Sequence, residues 1–524
     1  MRKIPPLWAI ALFIIISQAA SVRAQDVSKD SRLDEVKPAQ EKAAAEISAP
    51  KEESSVTSHT IRLEGQDIPY RAIASTMLIK NRKGEPSALI YSTAYIRSDL
   101  KDFSQRPIAF LYNGGPGMAS IWLLMGAFGP RRVLTPDASP SLPPPYHLTD
   151  NASCLLDKAD LVFIDPVGTG FSHAVDKARN RDFWGVDEDA KSLEQFISLF
   201  VSRNNRWNSP KFLIGESYGT FRSAVLGNYL QSSDGIYLNG IVLISTVLDM
   251  NTLEFNHGND MPYIFYLPSY AAAAWYHKML KNRPADLNIF LDEARKFSKN
   301  EYAQALMKGA KLSATEKEAI AAKISRFTGL SDDYLIKANL RVTLGQFNAE
   351  LQRSRGLITG RLDSRFSGPA RDLLAEHAYN DPEFTAVSGA FTAAFNYYVR
   401  EELQYGMDKT YRVYNEDAGN QWNWKRGGDR TSFIPNGLNV EDDLVHALIT
   451  NPHLKVEVEN GLFDLATPFL ATEYTMDHLD LPVDLRENIH LNYYNSGHMI
   501  YLNAEDLARL KSNIASFIDS STKQ

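Results

Sequence analysis

Three residue types set far apart along the chain point to nucleophilic chemistry. Gly215-Glu216-Ser217-Tyr218-Gly219 follows an apolar run and opens a helix-compatible stretch. A G-x-S-x-G turn between strand and helix lifts a serine hydroxyl clear of a sheet edge. That hydroxyl attacks only when a base takes its proton and a third group orients the base. Where this turn occurs, the chain order is Ser, then Asp or Glu, then His. Downstream, an apolar run at 454–458 leads into Glu459-Asn460-Gly461-Leu462-Phe463-Asp464, and another at 489–493 leads into Asn495-Ser496-Gly497-His498. Asp464 and His498 therefore both stand in loops just beyond strand-length segments. Asp477 and Asp480 are competing carboxylates, set in a stretch readable as a helix reaching Leu479. The oxyanion of an acyl-transfer intermediate needs N–H donors. Asn113-Gly114-Gly115-Pro116-Gly117 follows the run at 108–112 and leaves backbone amides open, and the amide of Tyr218, after the nucleophile, is the usual second donor.

Those residues must be positioned by a sheet. Apolar runs at 108–112, 161–164, 212–214, 241–244, 454–458 and 489–493 are each about strand length, with helical stretches at 187–202 and 217–231 between them. Such runs fit central parallel strands covered on both faces by helices, an α/β architecture. Alternation over 59–97, broken by Asn81-Arg82-Lys83-Gly84, predicts an antiparallel meander at one edge. Over 249–409 the strand rhythm gives way to helical stretches, expected at 269–280, 286–297, 315–324 and 386–400. Pro268 is expected to start the first of these. The whole insertion reads as a helical cap over the strand ends, with the core at 59–248 and 410–524.

The N-terminus has the order of a secretory signal: Arg2 and Lys3, an apolar run at 7–16, then Val22-Arg23-Ala24. The predicted signal is 1–24, and its removal takes the formal charge from −7 to about −10. Residues 25–58 lack aromatics and are rich in Lys, Glu, Ala and Ser, the composition of a disordered linker. The expected location is periplasmic or extracellular, with no membrane span once the signal is cut. A hydrophobic fraction of 44% and a charged fraction of 23% exclude wholesale disorder and a membrane bundle. The acidic balance gives no footprint for nucleic acid. A single cysteine, Cys154, excludes an internal disulfide and a Cys-rich zinc site. No zinc or phosphate-cradling motif is present, so no cofactor or metal is implied.

Taken with Asp165-Pro166-Val167-Gly168-Thr169-Gly170-Phe171-Ser172, these blocks resemble the serine carboxypeptidase family, in order from about Ile108 onward. The resemblance implies an α/β-hydrolase fold, a mostly parallel sheet with helices on both faces and an inserted helical cap, and removal of single residues from peptides with a free C-terminus. It implies Ser217 as nucleophile, His498 as base and then acid, Asp464 as its orienting group, and the Gly115 and Tyr218 amides as oxyanion hole. Asn113, Gly114 and Glu216 would bind the substrate carboxylate, Glu216 by sharing a proton, which favours acidic pH. Two departures stand out. Gly126-Ala127-Phe128-Gly129-Pro130 has Ala127 where the family has a second glutamate, with Arg131 and Arg132 either substituting as counter-charges or lying on a solvated face. The family's cysteines are also missing, which favours a bacterial source. An esterase or acyltransferase with the same triad, and a catalytically silent binding protein on this fold, are the alternatives. Trp422 and Trp424, near Tyr411 and Tyr414, are candidates for an apolar subsite or for packing, and Asn151-Ala152-Ser153 fits a glycosylation acceptor.

Overall fold

The short apolar runs pair into one sheet. The computed structural model describes residues 50–426 and 438–523; the signal expected at 1–24, and the linker expected at 25–58 as far as residue 49, lie outside them. The strands are β1 (Ser54–Leu63), β2 (Gln66–Lys80), β3 (Pro86–Arg97), β4 (Ile108–Tyr112), β5 (Asp160–Ile164), β6 (Lys211–Glu216), β7 (Gly240–Ile244), β8 (Lys455–Gly461) and β9 (Ile489–Tyr494). The last five linker positions, 54–58, thus run in β1. Spatial order is β1-β2-β3-β5-β4-β6-β7-β8-β9, with the two-residue strand His173–Ala174 pairing β3 off this path. β1, β2, β3 and β5 pair antiparallel, and every pair from β5 to β9 is parallel. Every residue of β4, β5 and β7 is buried, which is why these strands read as unbroken apolar runs. Exposed positions recur at alternate residues of β1, at the sheet edge, where one face meets water.

The helices that position the site are α1 (Val186–Arg203), α2 (Tyr218–Ser232), α3 (Met261–Tyr276), α4 (Leu287–Phe297), α5 (Ala314–Thr328), α6 (Pro382–Glu401), α7 (Glu441–Thr450), α8 (Phe469–His478) and α9 (Ala504–Ser521). One core cluster joins α1, α2 and α7 to one set of strand side chains. A second joins α6 and α9 to the other set and to the segment Trp122–Phe128. A third unites α3, α4 and α5 with Leu462, Phe463 and Leu465 beyond β8 and with α8. Of the segment expected as a cap, then, α3 to α5 pack on the strand-end loops, whereas α6 packs into the sheet core.

Pro268 differs from its expected place. It lies inside α3, which starts at Met261 rather than after the proline. A proline within a helix leaves the carbonyl four residues earlier without its N–H partner. That carbonyl, on Ile264, accepts the hydroxyl of fully buried Ser298 instead. A side chain 34 residues downstream in sequence thus lets the helix run through the proline.

Candidate active site

Register brings the C-terminal strand ends together. Tyr112 pairs with Gly215, and Ile244 lies between Glu216 and Glu459. Ser217 follows β6 with φ 60° and ψ −130°, a conformation that costs a non-glycine residue energy and persists only when its surroundings impose it. Its N–H donates to Ile244 O (2.9 Å), and its carbonyl accepts from the Thr220 amide (2.8 Å) and hydroxyl (2.7 Å). No side chain caps α2, so the Tyr218 and Gly219 amides that open it have no intrahelical acceptor.

Asp464 is fully buried beyond β8. Its Oδ1 accepts from the amides of Ala466 (2.7 Å) and Thr467 (2.9 Å), and its Oδ2 accepts from the Thr467 hydroxyl (2.6 Å) and lies 2.7 Å from His498 Nδ1. With the Nδ1 proton directed at Asp464, Nε2 is left as the proton acceptor. His498 is held by its own backbone: its N–H donates to Leu362 O (2.8 Å), and its carbonyl accepts the Ser245 hydroxyl (2.7 Å). Burial works against the imidazolium, but the Asp464 carboxylate and then Glu216 outweigh it, so the His498 pKa is raised above its ordinary value. The Ser217 hydroxyl makes no hydrogen bond within the protein, and catalytic contacts of this kind tighten on substrate binding.

The 113–117 loop lies directly against the start of α2. A methyl group on Gly114 would fall 2.4 Å from Tyr218 N and 2.8 Å from Gly219 N, so only glycine fits that approach. Gly115 adopts φ 105°, also a glycine conformation. Buried Arg222 of α2 clamps the loop, donating to Asn113 O (2.6 Å) while paired with Asp189 (2.6 Å). Glu216, 4% exposed, sits within electrostatic reach of His498 and beside Tyr501 and Asn113. Burial raises its pKa to about 7, against the opposing influence of His498 and those polar neighbours. Its Oε2 and the Tyr501 hydroxyl both lack a well-formed hydrogen bond. The site thus holds a nucleophile on a strained turn, an oriented imidazole, backbone donors, and a carboxyl that is readily kept protonated.

The chain matches the serine carboxypeptidase family over residues 85–499, a span containing Ser217, Asp464 and His498. It belongs to that family. The chain is 28% identical over 156 residues to carboxypeptidase S1 of Penicillium janthinellum (29% of this chain, 34% of the relative). It is 27% identical over 212 residues to the lysosomal protective protein of Mus musculus (38% of this chain, 40% of the relative). Those alignments thus span a third to two fifths of the relatives' lengths. Among solved structures, the prohormone-processing carboxypeptidase Kex1 of Saccharomyces cerevisiae superposes with a TM-score of 0.51 at 16% identity, over 86% of this chain and 92% of that one. The fold is that of the α/β-hydrolases.

The remaining candidate residues lie outside the Asp464–His498 pair. Asp477 and Asp480 are exposed, away from the His498 ring that Asp464 engages. Arg131 pairs with Asp150 (2.6 Å) and Glu402 (3.1 Å), and Arg132 donates to Gly126 O (3.2 Å) and Tyr501 O (3.0 Å). Neither is a free counter-charge, and Arg132 is an internal brace rather than part of a solvated face. Trp422 and Trp424 pack edge-on against Tyr218, at 5.3 and 5.7 Å between ring centroids, behind the nucleophile. Asn151 is buried, with its amide nitrogen donating to Ala127 O and Gly129 O, so it is closed to glycosylation. Cys154 is a buried free thiol. Sequence reading missed Thr467, Arg222, Leu362 and Tyr501. Tyr501, three residues after His498, carried the one available signal; the others reach the site through contacts that no local spacing announces.

Proposed function

We propose that the protein is an exported, periplasmic or extracellular serine carboxypeptidase that removes C-terminal residues from peptides. The observation that carries this reading is Glu216: a buried carboxyl with its pKa raised to about 7, adjacent in sequence to the nucleophile and beside Asn113. Simple ester hydrolysis has no use for such a group, whereas a free α-carboxylate needs a protonated partner in a site that excludes water. Ser217 Oγ attacks the scissile carbonyl as His498 Nε2 takes its proton. The Gly115 and Tyr218 amides receive the oxyanion. His498 then passes the proton to the leaving amine, and water attacks the acyl-enzyme in the reverse sense. Asp464 holds the tautomer and stabilises the imidazolium. Asn113, Gly114 and Glu216 hold the terminal carboxylate, so binding is strongest where Glu216 is protonated, on the acid side.

The test compares blocked dipeptides with free or amidated C-termini and simple esters, each with wild type and Ser217→Ala. Serine-dependent release from free-carboxyl peptides is the expected result. Turnover of esters alone would transfer the assignment to an esterase or acyltransferase, the reading that Ala127 favours. No serine-dependent turnover of any substrate would leave a binding protein.

A further inference from the structure

Glu383 stands apart among the described carboxyls. It is fully buried, and neither of its oxygens has a hydrogen-bond partner. Burying a carboxyl in this way is costly unless it is protonated or meets a partner. It is not the cap of α6: that role falls to Asp381, whose side chain accepts from the Phe384 amide (2.9 Å). Glu383 instead shares the buried face of α6 with Val387, Ala390, Phe391 and Ala394, at spacings of three and four residues.

That helix packs against the segment that contains Ala127. The Trp122 ring lies 5.7 Å from Phe384 and 4.9 Å from Phe391. A methyl group on Gly126 would fall 2.6 Å from the Tyr501 ring and 3.0 Å from Phe391. The first turn of α6, the Trp122–Phe128 segment and Tyr501 therefore meet. Tyr501 lies within electrostatic reach of both Glu216 and Glu383. Glu216 and Tyr501, both with unmet hydrogen-bonding capacity, lie beside Asn113, and Glu383, unmet at both oxygens, lies within electrostatic reach of Tyr501. Where the resemblance places a second carboxyl, position 127 has a methyl group, and the facing helix carries a carboxyl into the same interface.

We propose that Glu383 is the second carboxyl of the terminal-carboxylate pocket, a positioning residue behind Tyr501 and Glu216 that must be uncharged for a free carboxylate to bind. This rests on the carboxypeptidase reading above. Besides Tyr501, Glu383 faces Asp363, Asp381 and Asp464, which, after burial itself, favour its neutral form. Arg365 opposes them, but its guanidinium is already committed to Asp363 (2.6 Å) and Asp137 (3.0 Å).

If both acids must be neutral, KM for a free-carboxyl peptide is flat at acidic pH. It rises about tenfold per pH unit once Glu216 ionises, and about a hundredfold per unit once Glu383 ionises as well. The experiment measures KM between pH 5 and 9.5 for a blocked dipeptide with a free C-terminus, with kcat on a simple ester as reference. Glu383→Gln is expected to keep the tenfold rise and lose the steeper limb. A Glu383→Gln profile that superimposes on wild type overturns the proposal while leaving the carboxypeptidase reading intact. A wild-type KM that is flat throughout removes both. Should Glu383→Gln lose ester turnover through misfolding, calorimetry of the blocked dipeptide binding to Ser217→Ala protein at pH 9, in two buffers of different ionisation enthalpy, decides. Uptake of more than one proton per ligand supports the pair, and one or fewer overturns it.

Discussion

Glu216 and His498 influence each other's protonation across the pocket, and this gives the site its pH signature. An ionised Glu216 favours the imidazolium, so it contributes to the raised pKa of His498. The imidazole must be neutral to accept the Ser217 proton, so ester kcat falls as pH drops through the His498 pKa. Glu216→Gln removes the negative charge, lowers that pKa, and keeps the neutral imidazole available at lower pH. The acid limb of ester kcat is therefore expected to move to lower pH in this variant. Its KM for free-carboxyl peptides should also lose the onset near pH 7 that Glu216 ionisation imposes. An acid limb that stays in place would show that Glu216 exerts no electrostatic influence on His498. Asp464 is bound from four directions and supplies orientation; its three protein contacts besides His498 keep the carboxylate from following the ring if the ring moves.

At the scale of elements, the proline inside α3 offers the clearest test of how the insertion is built. Ser298, in the helical turn after α4, supplies the hydrogen bond that Pro268 denies to Ile264 O. Ser298→Ala leaves this carbonyl unpaired in the third core cluster, at a cost of about 1–3 kcal/mol. Urea unfolding should register that loss, while ester kcat stays near wild type because Ser298 touches no triad residue. Unchanged stability would mean that α3 relaxes around its proline without this bond. The elements nearer the chemistry leave less freedom. α2 carries the elbow at its N-terminus, and through Arg222 it fixes the oxyanion loop at the end of β4.

At the scale of the molecule, packing holds the described fold without covalent cross-links. The single thiol is buried, with its pKa pushed up to about 12 by desolvation, so it is neither oxidised readily nor able to pair within the chain. Stability must come from the two clusters flanking the sheet and the third over the strand ends. The midpoint of urea unfolding is therefore expected to be the same with and without dithiothreitol. A fall in the reductant would reveal a disulfide between chains. Among the described residues no helix is long and apolar enough to cross a membrane.

Much of the architecture, and Asp464 as a candidate partner for His498, could be read from sequence because the signals are local. A buried parallel strand must be apolar throughout, so the segments at 108–112 and 241–244 announced β4 and β7 to within a residue. The elbow, the glycine loop and the two strand-end loops were legible because tight turns demand particular residues. Helix limits in the insertion were less so. Pro268 was misplaced because the partner that rescues its helix, Ser298, is distant in sequence. By itself the sequence determined the α/β class and the order in which Ser217, Asp464 and His498 stand along the chain, and it placed Ala127 where the family resemblance implies a carboxyl. Only the tertiary structure decided which carboxylate meets His498, that Arg131 and Arg132 are already engaged, and that Glu383 is buried within reach of Tyr501. Hydrogen bonds and buried charges depend on which elements fold against one another, and no periodicity within one element records its neighbour.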